Sequence, residues 1–189
     1  GKTAGEIIRM IHYCHQWPGA RIVCTSPTNP LLNANVLPVI WEFFDRLGLV
    51  KGRDFAYLKE EKVLEFFGCQ VIFRTTEDPD SVKGITAAAF MMDEAAMSPL
   101  EAFMNLQGTL RQPGFPHQGW MASTPKGRRH WLCKLFYPEK ALYMPGEVRL
   151  RPDLPGANFL AMPARTRDNP FGGEALYQAM IATYGENSP

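Results

Sequence analysis

Ala87-Ala88-Ala89-Phe90-Met91-Met92-Asp93-Glu94-Ala95-Ala96 is an unbroken apolar run that breaks at two adjacent carboxylates. A strand covered on both faces reads as continuous hydrophobicity rather than alternation, which marks a parallel sheet. Acids following such a strand stand beyond its carboxyl end, where open α/β sheets bind their ligands. The stretch therefore predicts a buried strand that places Asp93 to hold a magnesium ion and Glu94 to orient a water. Taken alone, the same pattern also describes a strand running into a solvated turn.

A second motif adds weight through its position. Gly1-Lys2-Thr3 opens a helical pattern and forms the closing triplet of the phosphate loop G-x-x-x-x-G-K-S/T. An acidic strand about 90 residues later is the layout that a P-loop ATPase produces. Nothing precedes Gly1 and the chain does not begin with Met. The expectation is a segment of a longer protein, with the first strand and most of the phosphate loop upstream.

The helix opened by Thr3 is expected to end by Trp17-Pro18-Gly19, with Ile7, Ile8, Ile11, Cys14 and His15 on one face. Residues 20 to 25 predict a short buried strand. Asn29-Pro30 predicts an N-cap with proline at the first helical position, in a helix bent near Pro38 and closed by Gly48. Three short strand-like runs then follow between residues 55 and 76, with turns at 59–62 and at Gly68-Cys69. They predict an antiparallel meander inserted into a parallel sheet. Ser98-Pro99 starts another helix, and Trp120-Met121-Ala122 is a strand delivering Ser123-Thr124-Pro125-Lys126-Gly127. A short helix from Trp131, a last strand near 159–163 and a last helix near 174–184 complete the reading.

Composition sets the bounds. At 189 residues, 46% hydrophobic and 21% charged, the chain is an ordinary globular domain, or one and a piece. A net charge of +1 means that any basic surface for nucleic acid must be local. No apolar run is long enough to span a membrane. Cys14, Cys24, Cys69 and Cys133 are scattered without a C-x-x-C pair, so they predict buried thiols rather than a zinc site or disulfide framework. His12 and His15 beside Cys14 lack further ligands at suitable spacing and read as helix-face residues.

Taken in order, these pieces resemble the ATPase domain of the large terminase subunit, the DNA-packaging motor of tailed bacteriophages. The resemblance is carried by Gly1-Lys2-Thr3, Ser26-Pro27-Thr28, Lys83-Gly84, Phe90 to Ala95, Ser123 to Gly127, and Thr166-Arg167-Asp168-Asn169-Pro170-Phe171. It implies a P-loop NTPase of the RecA-like class: a mostly parallel sheet flanked by helices, with residues 1–165 as the ATPase domain. Residues 166–189 would begin a linker toward a nuclease domain. It further implies that Gly1, Lys2 and Thr3 bind ATP, with Lys2 on the β- and γ-phosphates and Thr3 and Asp93 at magnesium. Glu94 would polarise the attacking water, and Ser123 and Thr124 would couple hydrolysis to movement. Arg111, Lys126, Arg128 and Arg129 are candidates for an arginine finger or for DNA-backbone contact. The implied partners are double-stranded DNA, a portal protein, a small terminase subunit and further copies in a ring on the procapsid, in the host cytoplasm.

Two other readings use the same residues. A superfamily 2 helicase shares an Asp-Glu strand with a later Ser/Thr motif, and a non-catalytic P-loop scaffold would keep only the fold. Retention of Lys2, Thr3, Asp93 and Glu94 together argues against decay.

Overall fold

The computed structural model describes residues 1–124, 126–136, 149–150, 160–161 and 173–184. The chain divides into two compact units, residues 1–126 with 130–132, and residues 127–129 with 133–189. The first unit holds a six-stranded sheet in the order β2-β3-β4-β1-β5-β6. Its strands are β1 (Arg21–Ser26), β2 (Phe55–Leu58), β3 (Val63–Phe66), β4 (Cys69–Thr75), β5 (Ala89–Met92) and β6 (Gln118–Met121). β4, β1, β5 and β6 run parallel, and β2 and β3 add to the β4 side antiparallel. The meander is inserted in the chain between β1 and β5, and in the sheet it extends the β4 side.

β5 lies between two parallel neighbours and all four of its residues are buried. That explains the unbroken apolar run, because both faces of the strand are covered. Alternation divides its side chains between two layers. Ala89 and Met91, with Ile22, Cys24, Val71 and Phe73, belong to the core beneath α1 (Lys2–Gln16) and α3 (Leu37–Arg46). Phe90 packs the other way, edge-on to Phe103 of α4 (Leu100–Thr109). Phe103 in turn stacks on Trp131, the first residue of α5 (Trp131–Phe136).

Helix α1 buries Glu6, Ile7, Met10, Tyr13 and Cys14. Its inner face is rotated from the one read in the sequence: Ile8 and His15 are exposed and Ile11 is half-buried. Tyr13 fixes the rotation by donating to the Pro116 carbonyl at 2.6 Å and packing on Trp120 of β6. The second helical region begins one residue earlier than expected. Thr28, rather than Asn29, is the cap, its hydroxyl accepting from Leu31 N at 3.3 Å ahead of α2 (Asn29–Leu31). A π-helical stretch, Leu32–Val36, then leads into α3. Pro38 explains the widened turn, since it has no N–H to donate and its ring crowds the carbonyl four residues earlier.

The tight turn between β3 and β4 is Phe67-Gly68, both at positive φ, and Cys69 already belongs to β4. Trp41 and Phe44 of α3 close over the meander, with Phe44 4.7 Å from Phe55 and 5.1 Å from Phe66 between ring centroids. Such pairs contribute roughly 0.5–1.5 kcal/mol each beyond burial. Ser98 does not cap α4; its hydroxyl hydrogen-bonds that of Thr76 at 2.6 Å.

In the second unit β7 (Arg149–Leu150) pairs antiparallel with β8 (Leu160–Ala161), and α6 (Gly173–Tyr184) follows. The Thr166–Phe171 motif and the expected boundary at 165/166 lie outside the described residues.

Gly119 is the residue that lets β6 pair beside Phe90. A Cβ there would stand 2.2 Å from the Phe90 ring. Gly119→Ala is expected to destabilise by about 1–3 kcal/mol through overpacking. Phe90→Leu in the same chain should recover part of that loss. Denaturant midpoints of the two single variants and the double variant check this; additive losses would exclude the contact as the cause.

Candidate active site

β1, β5 and β6 end level with one another, because Thr25 pairs with Met92 and Met92 with Met121. Asp93 N donates to the Thr25 carbonyl at 2.9 Å, and Ala122 N to the Met92 carbonyl at 3.3 Å. The next residues therefore emerge side by side at the carboxyl edge of the sheet. The amino terminus of α1 lies over that edge. A helix amino terminus attracts anions through its first N–H groups and positive dipole end.

Continuing the alternation of β5, Asp93 falls on the α1 face. It is buried and accepts from Thr3 Oγ1 at 3.1 Å. Glu94 would fall on the opposite face if the strand continued. Instead its backbone turns into the left-handed region, φ 47° and ψ 48°, and its carboxylate lies 3.3 Å from Lys2 Nζ. A non-glycine residue held there costs free energy, as at Lys62 and Phe67 in the turns of the meander. The same alternation divides the residues after β6. Thr124 lies on the α1 side, where its hydroxyl accepts from Lys2 Nζ at 2.5 Å. Ser123 lies on the other, its hydroxyl accepting from Ala96 N at 2.8 Å and donating to the Thr124 carbonyl at 3.3 Å. Ala95 N also donates to the Ala122 carbonyl. The segment after β6 is therefore bonded both to the turn that carries Glu94 and to Lys2.

Lys2, Thr3, Asp93, Glu94, Ser123 and Thr124 are thus brought together, with Gly1 at the start of α1. Lys126 is exposed two residues beyond Thr124. Arg111 stands at the far end of β5: its backbone N donates to the Ala87 carbonyl and its guanidinium to Thr86 Oγ1 and the Ile85 carbonyl. Its partners there are remote from Asp93 and Glu94, which follow the other end of the strand. Arg128 and Arg129 are exposed and belong to the second unit. A cavity of about 340 Å³, lined by Gly19, Arg21 and Cys69 among others, opens at the amino end of β1, away from the acids.

Glu6 is the site residue that the sequence did not announce. One turn after Thr3 on the same side of α1, it is 6% exposed and lies against Asp93 and the Ala122 backbone. Neither of its oxygens meets a conventional donor at good geometry, and its nearest polar company is the Asp93 carboxyl itself. Burial, and next the charge of Asp93, push its carboxyl up to about 9. Burial likewise raises Asp93, opposed by the hydrogen bond from Thr3. Its only signal in sequence is a carboxylate at a core-facing helix position.

The donor set suits a hard cation. The Thr3 hydroxyl and Asp93 carboxylate are oxygen donors in contact, and the oxygens of Glu6 are close by. Among the described residues no three His, Cys, Asp or Glu side chains form a metal cage. Magnesium does not ask for one, since it takes one or two protein oxygens and keeps phosphates and waters for the rest.

A family model described as phage terminase large subunit matches residues 32–187. The chain belongs to the phage terminase large subunit family. Solved terminases share its fold. The large terminase of a thermophilic bacteriophage is 17% identical over 69% of this chain and 32% of its own, with a TM-score of 0.59. That protein in complex with ATP-γ-S matches at 17% identity and a TM-score of 0.57, over 70% and 32% of the two chains. The ATPase domain of the Thermus phage P74-26 large terminase is 16% identical over 98% of this chain and 80% of that one, with a TM-score of 0.65. This terminase chain spans about a third of the length of the first of these. No curated protein matches it in sequence. The family assignment sets aside the superfamily 2 helicase reading.

Glu6 yields a prediction about stability without metal. Its carboxyl is ionised in the unfolded chain above pH about 4.5 but stays protonated in the folded one up to about 9. Between those values the native state holds the extra proton, so stability falls as pH rises, by roughly 3 kcal/mol on reaching pH 7. Glu6→Gln, which does not ionise, should stabilise the protein in EDTA at pH 7 and flatten its stability profile from pH 5 to 8. Parallel slopes for parent and variant would show that Glu6 is ionised in the fold.

Proposed function

We propose that this chain carries the ATP-hydrolysing site of a motor that drives double-stranded DNA into a viral procapsid. The observation that carries the reading is Lys2, whose ammonium is shared between Glu94 and Thr124 while Thr3 contacts Asp93. Family membership and the ATP-γ-S complex of the thermophilic phage's terminase support it.

Lys2 pairs with Glu94, the acid that would orient water, and holds the hydroxyl after β6. Phosphate oxygens of ATP compete for that ammonium and for the first N–H groups of α1. Once Lys2 turns to the β- and γ-phosphates, Glu94 is free to orient a water and take its proton, and Thr124 is free to respond to the γ-phosphate. Ser123 remains bonded to the turn behind Glu94, so a shift of that turn is passed to the segment after β6. Thr3 and Asp93 would hold a magnesium ion, which supplies the positive charge that phosphoryl transfer needs. Any arginine finger comes from somewhere other than Arg111 of the same chain.

The chain would work within a complete large subunit, in a ring of copies on a portal protein, with a small terminase subunit supplying the DNA in the host cytoplasm. Contact with DNA through Lys126, Arg128 and Arg129 would be with phosphates and indifferent to sequence. DNA-stimulated ATPase of the intact subunit should therefore fall steeply as salt rises from 50 to 200 mM on any duplex. A strong preference among unrelated duplexes would count against translocation.

Glu94→Gln should lower turnover by roughly 10²–10⁴-fold and leave nucleotide affinity nearly unchanged, as expected for a group that acts only on the attacking water. Thr124→Val should keep a measurable share of hydrolysis but lose DNA packaging. ATP affinity, ATPase rate and packaging, measured on the intact subunit, test both. Parental turnover in Glu94→Gln would remove Glu94 from the chemistry, and no ATPase in the parent would leave only the scaffold.

A further inference from the structure

We propose that Glu6 belongs to the metal site: its carboxylate accepts hydrogen bonds from water molecules that magnesium retains when Thr3 and Asp93 hold it. The inference rests on the ATPase reading and extends it to a residue outside the phosphate-loop triplet and the acidic strand.

Placement comes first. Thr3 and Glu6 are three residues apart, so they share one side of α1, and both meet Asp93 at the carboxyl edge of β5. The neighbouring strand agrees. Cys24 of β1 belongs to the core beneath α1, and Ser26, two residues on, shares its side of the sheet. Ser26 Oγ is also buried without a partner. Buried oxygens from α1 and β1 thus gather at one end of the sheet.

The energetic argument is sharper. Buried polar groups are nearly always hydrogen-bonded, and a carboxylate offers about four acceptor sites. Glu6 has only the Asp93 carboxyl and the Ala122 backbone beside it, neither as a conventional donor at good geometry, although it occupies a core-facing position beside Ile7 and Met10. A methionine there would have similar volume, comparable helix propensity and no polar atoms to desolvate. Two carboxyls in contact ionise together only when a cation shares them, so an acid set against Asp93 there points to a metal ion and its waters.

Chemistry identifies the partner. Magnesium sheds its waters reluctantly and is held through one or two side-chain oxygens, phosphates and its remaining waters. Those waters point hydrogens outward and need acceptors. Thr3 and Asp93 already supply the one or two side-chain oxygens that such an ion takes, which leaves Glu6, one turn further along α1, to act through water. Residues in this relation to an ion orient its ligands and strengthen its binding.

The test uses the intact large subunit with Mn²⁺ as a spin probe and ATP-γ-S as the nucleotide. Glu6→Met should weaken Mn²⁺ affinity by roughly 10–100-fold, and Glu6→Gln, which keeps one acceptor oxygen, by less. ATP-γ-S affinity in EDTA should be unchanged in both, and their melting midpoints in EDTA should match or exceed the parent's. Parental Mn²⁺ affinity in folded Glu6→Met overturns the proposal. So does failure of both variants to fold, which would make Glu6 a structural acid. A parent that binds no ATP-γ-S in the same titration overturns the nucleotide reading itself, and this inference with it, through a separate arm.

Discussion

Parallel pairing of β5 between β1 and β6 is the constraint on which the candidate site depends. It sets three strand ends level, so that Ser26, Asp93 and Ala122 stand side by side beneath the amino terminus of α1. Ladder bonds leave each strand no freedom to slip, because a one-residue shift would exchange its buried and opposite faces. Alternation then assigns the side chains, with Asp93 and Thr124 toward α1 and Ser123 away from it. Glu94 alone departs from this, through its left-handed backbone. That departure puts two consecutive acids on the helix side of the sheet, where a regular strand could put only one.

Lys2 illustrates why a contact need not be strong to matter. Its ion pair with Glu94 and its hydrogen bond to Thr124 are partly exposed to water. Pairs of this kind add little to stability. A lysine that gains little from its resting partners gives them up readily to a polyanion, and the same move frees an acid and a hydroxyl. Glu6 and Asp93 are the opposite case. They are buried, and two carboxyls share one small volume at a cost that the fold carries. This end of the sheet is therefore loosely held at Lys2 and tense at Glu6 and Asp93.

The remainder of the unit supports this edge from a distance. Trp41 and Phe44 hold the meander to α3, and Tyr13 fixes the rotation of α1 against β6. Solved terminases at 16–17% identity keep the fold, since such packing asks for volume and polarity in the right places rather than particular residues.

Much of this was legible from local pattern. A six-residue apolar run ending in two acids implies a doubly covered parallel strand, and a Gly-Lys-Thr triplet at a helix start implies an anion site, because each rests on a periodicity or motif contained within a few residues. Turn positions and caps were less legible: Thr28 in place of Asn29, and Phe67 in a positive-φ turn, were settled by competing hydrogen bonds and strand register. Tertiary structure alone decided that Ile8 would face outward, that the meander would extend an edge, and that Arg111 would sit at the wrong end of β5 for this chain's acids. It alone brought Glu6 to Asp93 and turned Glu94 back to Lys2. Those outcomes depend on which strands lie side by side and where a helix rests on them, and no stretch of sequence carries that information by itself.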